Sequence, residues 1–271
     1  MTINFAGQLM DMSTPRVMGI VNATPDSFHA SSCAMTAEEV VAMATKHLAE
    51  GADILDIGAC STRPGSTPVG ENEEKARLDM ALSAIRDARP EALVSVDTFR
   101  ASIARHCVEQ WGVQMINDIG GGDLDAEMFD TVASLGVPYV LMHGGSKAST
   151  LPENVQGEEV AVRVCQFFEE RLQRLHEMGV ADIILDPGFG FGKTMAQNYA
   201  LFARLADIVR LFPHPILVGV SRKRMVWELL HISPDEALPG TSLLHSVALG
   251  AGASLLRVHD VGAASQLIAQ P

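Results

Sequence analysis

Short apolar runs closed by polar residues recur eight times along the chain. The runs at 17–21, 53–58, 93–97, 114–118, 138–142, 182–186, 215–220 and 254–258 are rich in Val, Ile and Leu and nearly continuous in apolar character. Strands buried on both faces, as in a parallel sheet, have this pattern. Helix-like stretches lie between them, at 36–50, 71–88, 101–111, 124–135, 158–178, 196–211 and 242–252, with 261–269 last. Thr36 and Glu39 have the spacing of a capping box, and Gly51 and Gly179 stand where C-terminal helix glycines belong. Strict strand–helix alternation predicts a parallel sheet, and eight units predict its closure into an α/β fold, the (β/α)8 or TIM barrel. No linker, low-complexity tract or charge block divides the chain, so one domain over 1–271 is expected.

The endings of the runs carry the second signal. In order they are Asn22, Asp56, Asp97, Asn117, His143, Asp186, Ser221-Arg222-Lys223 and Arg257-Val258-His259. Barrel enzymes build their sites from the carboxyl ends of the strands and the loops that follow. The loops at 22–35, 59–70, 143–157 and 187–195 are long and carry Pro, Gly, Ser and Thr, whereas the return connections are mostly short. Chemistry is therefore expected on one face of the barrel.

Composition narrows the partners. The formal charge of −13 over 271 residues argues against nucleic acid, which needs a basic face. It leaves room for an anionic small molecule, because local cations outweigh a distant negative field. Cys33, Cys60, Cys107 and Cys165 have neither zinc-type spacing nor the density of a disulfide framework, so reduced thiols and a cytoplasmic location are expected. Met1 to Ser13 lacks the pattern of a secretory signal, and no apolar run approaches a membrane span. The nine histidines include no HExxH spacing, so no zinc site is expected; His47, His106 and His176 read as helix-surface or packing residues.

The run from Asp186 to Thr194 looks like a phosphate loop, but Pro187 stands where the Walker pattern needs glycine. The dinucleotide pattern fails too, its third glycine falling on Lys193. Singly, Asp97, Asn117 and Asp186 are each as well explained by turn and helix capping. Together on one rim they fit a shared polar ligand, a heterocycle with amino and ring N–H groups. Ser221-Arg222-Lys223-Arg224 and Arg257 to Asp260 follow strands seven and eight, where barrels often bind phosphate. Cations there hold an anion or stabilise a leaving pyrophosphate by fixed charge; the alternative is a solvated basic turn. In the loops Asn22 to Phe28 and Ser61 to Gly65, turn chemistry accounts for all but Phe28 and Arg63.

These segments, joined by Leu141-Met142-His143, together resemble the dihydropteroate synthases, in family order and over nearly the whole chain. The resemblance implies a barrel that condenses 6-hydroxymethyl-7,8-dihydropterin diphosphate with p-aminobenzoate, releasing pyrophosphate in an SN1-like displacement. It implies that Asp97, Asn117, Asp186 and Lys223 bind the pterin, with Met142 near the ring. Asn22 would hold Mg²⁺ with diphosphate oxygens, and Arg63, Arg257 and His259 would hold the diphosphate. Phe28, Thr62, Phe191 and Ser221 would border the p-aminobenzoate pocket. Asp97, Lys223, Arg257 and His259 would be the catalytic groups, and a homodimer through the outer helices would follow.

The chain departs from the family pattern in places. His29-Ala30-Ser31-Ser32 replaces the usual Ser-Asp-Gly-Gly, Cys60 replaces a Glu, and Arg224 replaces a small hydroxyl residue. Two other readings fit parts of the sequence: a methyltetrahydrofolate-dependent methyltransferase, similar around Asp97, Asn117 and Asp186, and a non-catalytic pterin-binding paralogue. The cations after strands seven and eight count against the first; the altered 29–32 loop motivates the second.

Overall fold

The computed structural model describes residues 1–23, 35–60 and 69–269. An antiparallel hairpin, β1 (Thr2–Phe5) and β2 (Gln8–Asp11), opens the chain. Then follow β3 (Arg16–Asn22), α1 (Ala37–Ala49), β4 (Ile54–Gly58), α2 (Glu71–Ala88), β5 (Val94–Asp97), α3 (Ala101–Trp111), β6 (Met115–Asp118), α4 (Met128–Leu135), β7 (Tyr139–Met142), α5 (Glu158–Glu177) and β8 (Ile183–Asp186). The last quarter holds α6 (Met195–Ala203), α7 (Leu205–Leu211), β9 (Leu217–Val218), α8 (Arg224–Leu230), a 3₁₀ turn at Pro234–Glu236, α9 (Leu238–Gly250), β10 (Leu255–Val258) and α10 (Val261–Ala269).

Eight parallel strands run in the order β8-β7-β6-β5-β4-β3-β10-β9, and a parallel bridge from Leu185 to Ile216 joins the two ends. The expected (β/α)8 barrel is thus present. Strand alternation divides its apolar residues into two sets. Val21, Leu55, Ile57, Val96, Ile116, Leu141, Leu185 and Val258 join the core shared with the helices. Met18, Ile54, Leu93, Met115, Val140, Ile184, Leu217 and Leu255 form a separate inner cluster, which Ile3, Phe5 and Met12 complete. The inner parity therefore runs Asn22, Asp56, Gly58, Asp97, Asn117, Met142, Asp186 and Arg257, every one an even step from an inner-cluster residue.

The hairpin is the main element absent from the sequence reading. Ala6 (φ 51°) and Gly7 (φ 96°) make a two-residue turn with both φ positive, the kind that matches strand twist. The Asn4 side chain accepts from the Gly7 N–H at 2.7 Å. Alternation then buries Ile3 and Phe5 while Thr2 and Asn4 face outward. Elsewhere the expected helix at 196–211 breaks at Arg204, and the one at 242–252 begins at Leu238. The strand at 215–220 shrinks to Leu217–Val218; Pro213 and Pro215, which lack a donor N–H, precede it. The Thr36–Glu39 capping box forms as expected, with Thr36 N–H to Glu39 Oε2 at 2.8 Å and Glu39 N–H to Thr36 Oγ1 at 3.3 Å.

Candidate active site

Register places four strand ends side by side: Asn22 pairs with Gly58, Gly58 with Asp97, and Asp97 with Asn117. Met142 pairs with Asp186 further round the rim. Gly58 keeps this row open. A Cβ there would stand 3.6 Å from Asn22 Oδ1 and 3.8 Å from Asp97 Oδ2, filling the space between two hard oxygens.

Arg257 reaches this row from β10. Its Nε donates to Asp56 Oδ2 at 2.6 Å and its Nη2 to Asp97 Oδ2 at 2.8 Å. Asn117 Nδ2 donates to the same Asp56 oxygen at 3.0 Å. Asp56 is fully buried, and both donors meet the same one of its two oxygens. It lies in mid-strand rather than at a strand end, since Ile57 and Gly58 follow it in β4. Burial pushes the Asp97 carboxyl up to about 7; Asp56 and Asp118 add to the rise, while Arg257 and Lys223 oppose it. Burial works against the Arg257 charge, but Asp56 and Asp97 outweigh it and hold the guanidinium more firmly protonated than usual.

The other side of the rim is built by the turn after β8. Gly188 (φ 70°) puts its backbone where a Cβ would lie 1.7 Å from the His143 carbonyl, so no other residue fits. Its N–H donates to Asp186 Oδ1 at 2.7 Å. Burial raises the Asp186 carboxyl, against the pull of Lys223, the Gly188 N–H, Lys193 and Arg257. Lys223 donates to the Phe189 carbonyl and stands 4.6 Å from the centre of the Phe191 ring. Burial lowers this ammonium to about 8, against the attraction of Asp186. Ser221 Oγ accepts from the His259 N–H at 3.2 Å and lies 3.1 Å from His259 Nδ1.

The structure thus gathers Asp97, Asn117 and Arg257 around Asp56, places Phe191 against Lys223, pairs Ser221 with His259, and sets Met142 beside Asp186 and Asn22 beside Gly58. Phe28, Thr62 and Arg63, with the altered 29–32 loop, lie outside the described residues. Other strand-end residues have different work. His143 packs edge-on against Phe167 at 4.8 Å, and burial drives its imidazole down to about 2. Asp118 accepts from Tyr139 Oη at 2.7 Å and from the N–H groups of Gly120 and Gly122, anchoring the loop after β6. Arg222, at φ 52°, turns away to pair bidentately with Asp260 at 2.9 and 2.6 Å. Arg224 is exposed and pairs with Glu228 one helical turn on.

Asp56 is the site residue that sequence reasoning left without a role. Its signal was a lone carboxylate in Ile54-Leu55-Asp56-Ile57-Gly58, on the same parity as Gly58. Among the described residues no three or more His, Cys, Asp or Glu converge as a metal cage, and no helix is long and apolar enough to cross a membrane.

A barrel mouth that sets buried carboxylates and an amide against half-buried cations suits flat, donor-rich heterocycles. The pterin binding enzyme family matches residues 18–259, and the chain belongs to it. Within that family its relatives are dihydropteroate synthases. That of Escherichia coli K12 is 38% identical over 257 residues, covering 94% of this chain and 90% of the relative. The Yersinia pestis dihydropteroate synthase in a sulfonamide drug complex superposes with a TM-score of 0.89 at 34% identity, over 99% of this chain and 96% of the other. The Xanthomonas albilineans enzyme in complex with 7,8-dihydropteroate superposes at 0.86 with 35% identity, over the whole of both chains.

Proposed function

We infer that this chain makes 7,8-dihydropteroate from 6-hydroxymethyl-7,8-dihydropterin diphosphate and p-aminobenzoate, releasing pyrophosphate. The observation that carries the reading is Arg257 held between Asp56 and Asp97, with Asn117 on the same carboxylate and Asp186 and Lys223 across the rim. Carboxylates accept from the amidine-like edge of a pterin, while the amide and the ammonium donate to its acceptors. Met142 packs near the ring. The diphosphate is assigned to Arg257 and His259 and p-aminobenzoate to Phe191 and Ser221; Arg63 for the first, and Thr62 and Phe28 for the second, are assigned from the sequence and lie outside the described residues. The relatives favour this over the methyltransferase and the non-catalytic paralogue.

In the reaction the methylene C–O bond breaks and its electron pair leaves with pyrophosphate. Ionised Asp97 stabilises the cationic methylene-pterin, and Lys223 and Arg257 act as fixed charges. The aniline nitrogen of p-aminobenzoate then donates its lone pair to form the C–N bond and loses a proton. Asn22 Oδ1, in the cleft that Gly58 leaves open, suits a hard cation that takes its other ligands from diphosphate oxygens and water. Bound there, Mg²⁺ would neutralise charge building on the leaving group.

Pyrophosphate release, measured with and without p-aminobenzoate and across a Mg²⁺ titration, tests the scheme. Release that requires p-aminobenzoate and yields dihydropteroate is expected. Binding of the pterin diphosphate without release would return the chain to a non-catalytic role. Full activity in excess chelator would remove Asn22 as a metal ligand.

The same reading extends to assembly and location. Leu211 of α7, Leu229 and Leu230 of α8, and Leu243 and Val247 of α9 are large apolar side chains exposed on consecutive outer helices. Exposed apolar side chains on these outer helices fit a second copy of the chain. Sedimentation is expected to give a dimer that Leu243→Glu converts to monomer; a monomeric wild type would refute it. The dispersed cysteines fit the reducing cytoplasm, with burial raising the Cys107 thiol to about 12. Cell fractionation that places the chain outside the cytoplasm would overturn this assignment.

A further inference from the structure

Lys193 belongs to no group of residues assigned above, yet it occupies the junction on which the far side of the rim is built. Its Nζ donates to three backbone carbonyls: Gly188 at 2.9 Å, Phe191 at 3.0 Å and His143 at 3.1 Å. An ammonium has three N–H donors, and all three are used. The acceptors come from two loops, one leaving β7 and the other leaving β8. Glycine lets these loops meet backbone to backbone. A Cβ on Gly188 would stand 1.7 Å from the His143 oxygen, one on Gly144 2.4 Å from the Phe191 oxygen, and one on Gly192 2.9 Å from the Gly144 oxygen. Three carbonyl dipoles thus point at one spot, and the half-buried Lys193 ammonium offsets their mutual repulsion. Burial lowers that ammonium to about 7 against the attraction of Asp186, so its charge is complete on the acid side of that pH.

The contacts continue into the site. The turn that Lys193 pins carries the Gly188 N–H that holds Asp186, the Phe189 carbonyl that holds Lys223, and the Phe191 ring that Lys223 faces. The His143 N–H donates to the Asp186 carbonyl at 3.0 Å, so the two loops are also tied at the strand ends.

We propose that Lys193 is a positioning residue for the condensation: its tripodal grip on the loops after β7 and β8 sets Asp186, Phe191 and Lys223 in one geometry, and its charge supports the ionised form of Asp186. This rests on Asp186 and Lys223 being pterin ligands. The charged groups that face Asp186 are Lys223, Lys193 and Arg257, and those that face Lys193 are Asp186 and Lys223. The His143 ring beside the junction stays neutral.

Steady-state kinetics of Lys193→Gln and Lys193→Arg across pH, beside Lys223→Met, test the proposal. Gln serves two of the three carbonyls without charge. It is expected to lower kcat/KM by about tenfold to a hundredfold, the cost of displacing reacting groups by about 1 Å. It should also move upward the part of the acid limb that Asp186, raised by burial like Asp97, contributes, because Asp186 loses a cation. Arg keeps the charge but displaces the turn, so the limb should stay while kcat/KM falls. Wild-type kcat/KM in Lys193→Arg, or in a folded Lys193→Gln with an unmoved limb, overturns the proposal. Should Lys193→Gln fail to fold, the Arg variant decides alone. Lys223→Met separates the two readings: wild-type turnover there would remove the pterin site itself, whereas its loss beside an indifferent Lys193 would remove only the positioning role.

Discussion

Asp97 shares one guanidinium with Asp56, and burial, more than that partner, decides when it carries charge. The sign of its pH dependence follows. Its carboxyl titrates at about 7, above the ordinary carboxylate range, so the ionised form that the proposed reaction requires is complete only above that pH. Lys223 titrates at about 8, below the ordinary lysine range, so the charged form is lost above that pH. The kcat/KM for the pterin diphosphate is expected to rise through about 7 and fall through about 8, leaving a narrow maximum between. Asp97→Asn should lose the Asp97 part of the lower limb along with most of the rate, leaving the part that Asp186 contributes. A profile flat from pH 6 to 9, on the order of the span these groups cover, would refute both assignments. At this scale their position at the ends of the apolar runs made Asp97, Asn117, Asp186 and Arg257 legible in the sequence. The role of Asp56 was not legible, because it depends on Arg257, 201 positions away, reaching it across the barrel.

Elements follow the same division between local and distant causes. The eight runs declared themselves because parallel strands are apolar on both faces, and the helices between them because their apolar spacing is regular. The hairpin did not, since four-residue strands carry only two alternations each and its Ala-Gly turn is weak punctuation. The break at Arg204 has no glycine or proline to announce it, and α8 ends on His231 in the left-handed region instead of on glycine. The hairpin nevertheless supports the fold. Phe5 is 2% exposed in the inner cluster, so Phe5→Ala should cost about 3–5 kcal/mol in chemical denaturation. It should leave KM at low temperature unchanged, because the rim lies at the opposite ends of the strands. A KM that rises with the loss of stability would contradict that separation.

Across the whole molecule, the inner cluster closes the barrel from one end while the row of Asn22, Gly58, Asp97 and Asn117 opens at the other. Asp97, Asn117, Met142 and Asp186 lie on the strands themselves, whereas Lys223, Phe191, Ser221 and His259 stand on the loops beyond the strand ends. Calorimetry should therefore find p-aminobenzoate binding weakly until the pterin diphosphate is in place; equal affinity in its absence would contradict this stacking by depth. With Ile3, Phe5 and Met12 packed at the far end, the described residues form a well that opens at the carboxyl ends of the strands. Under the proposed scheme both substrates enter through that mouth, p-aminobenzoate lies above the pterin, and the product departs by the route its second half occupies.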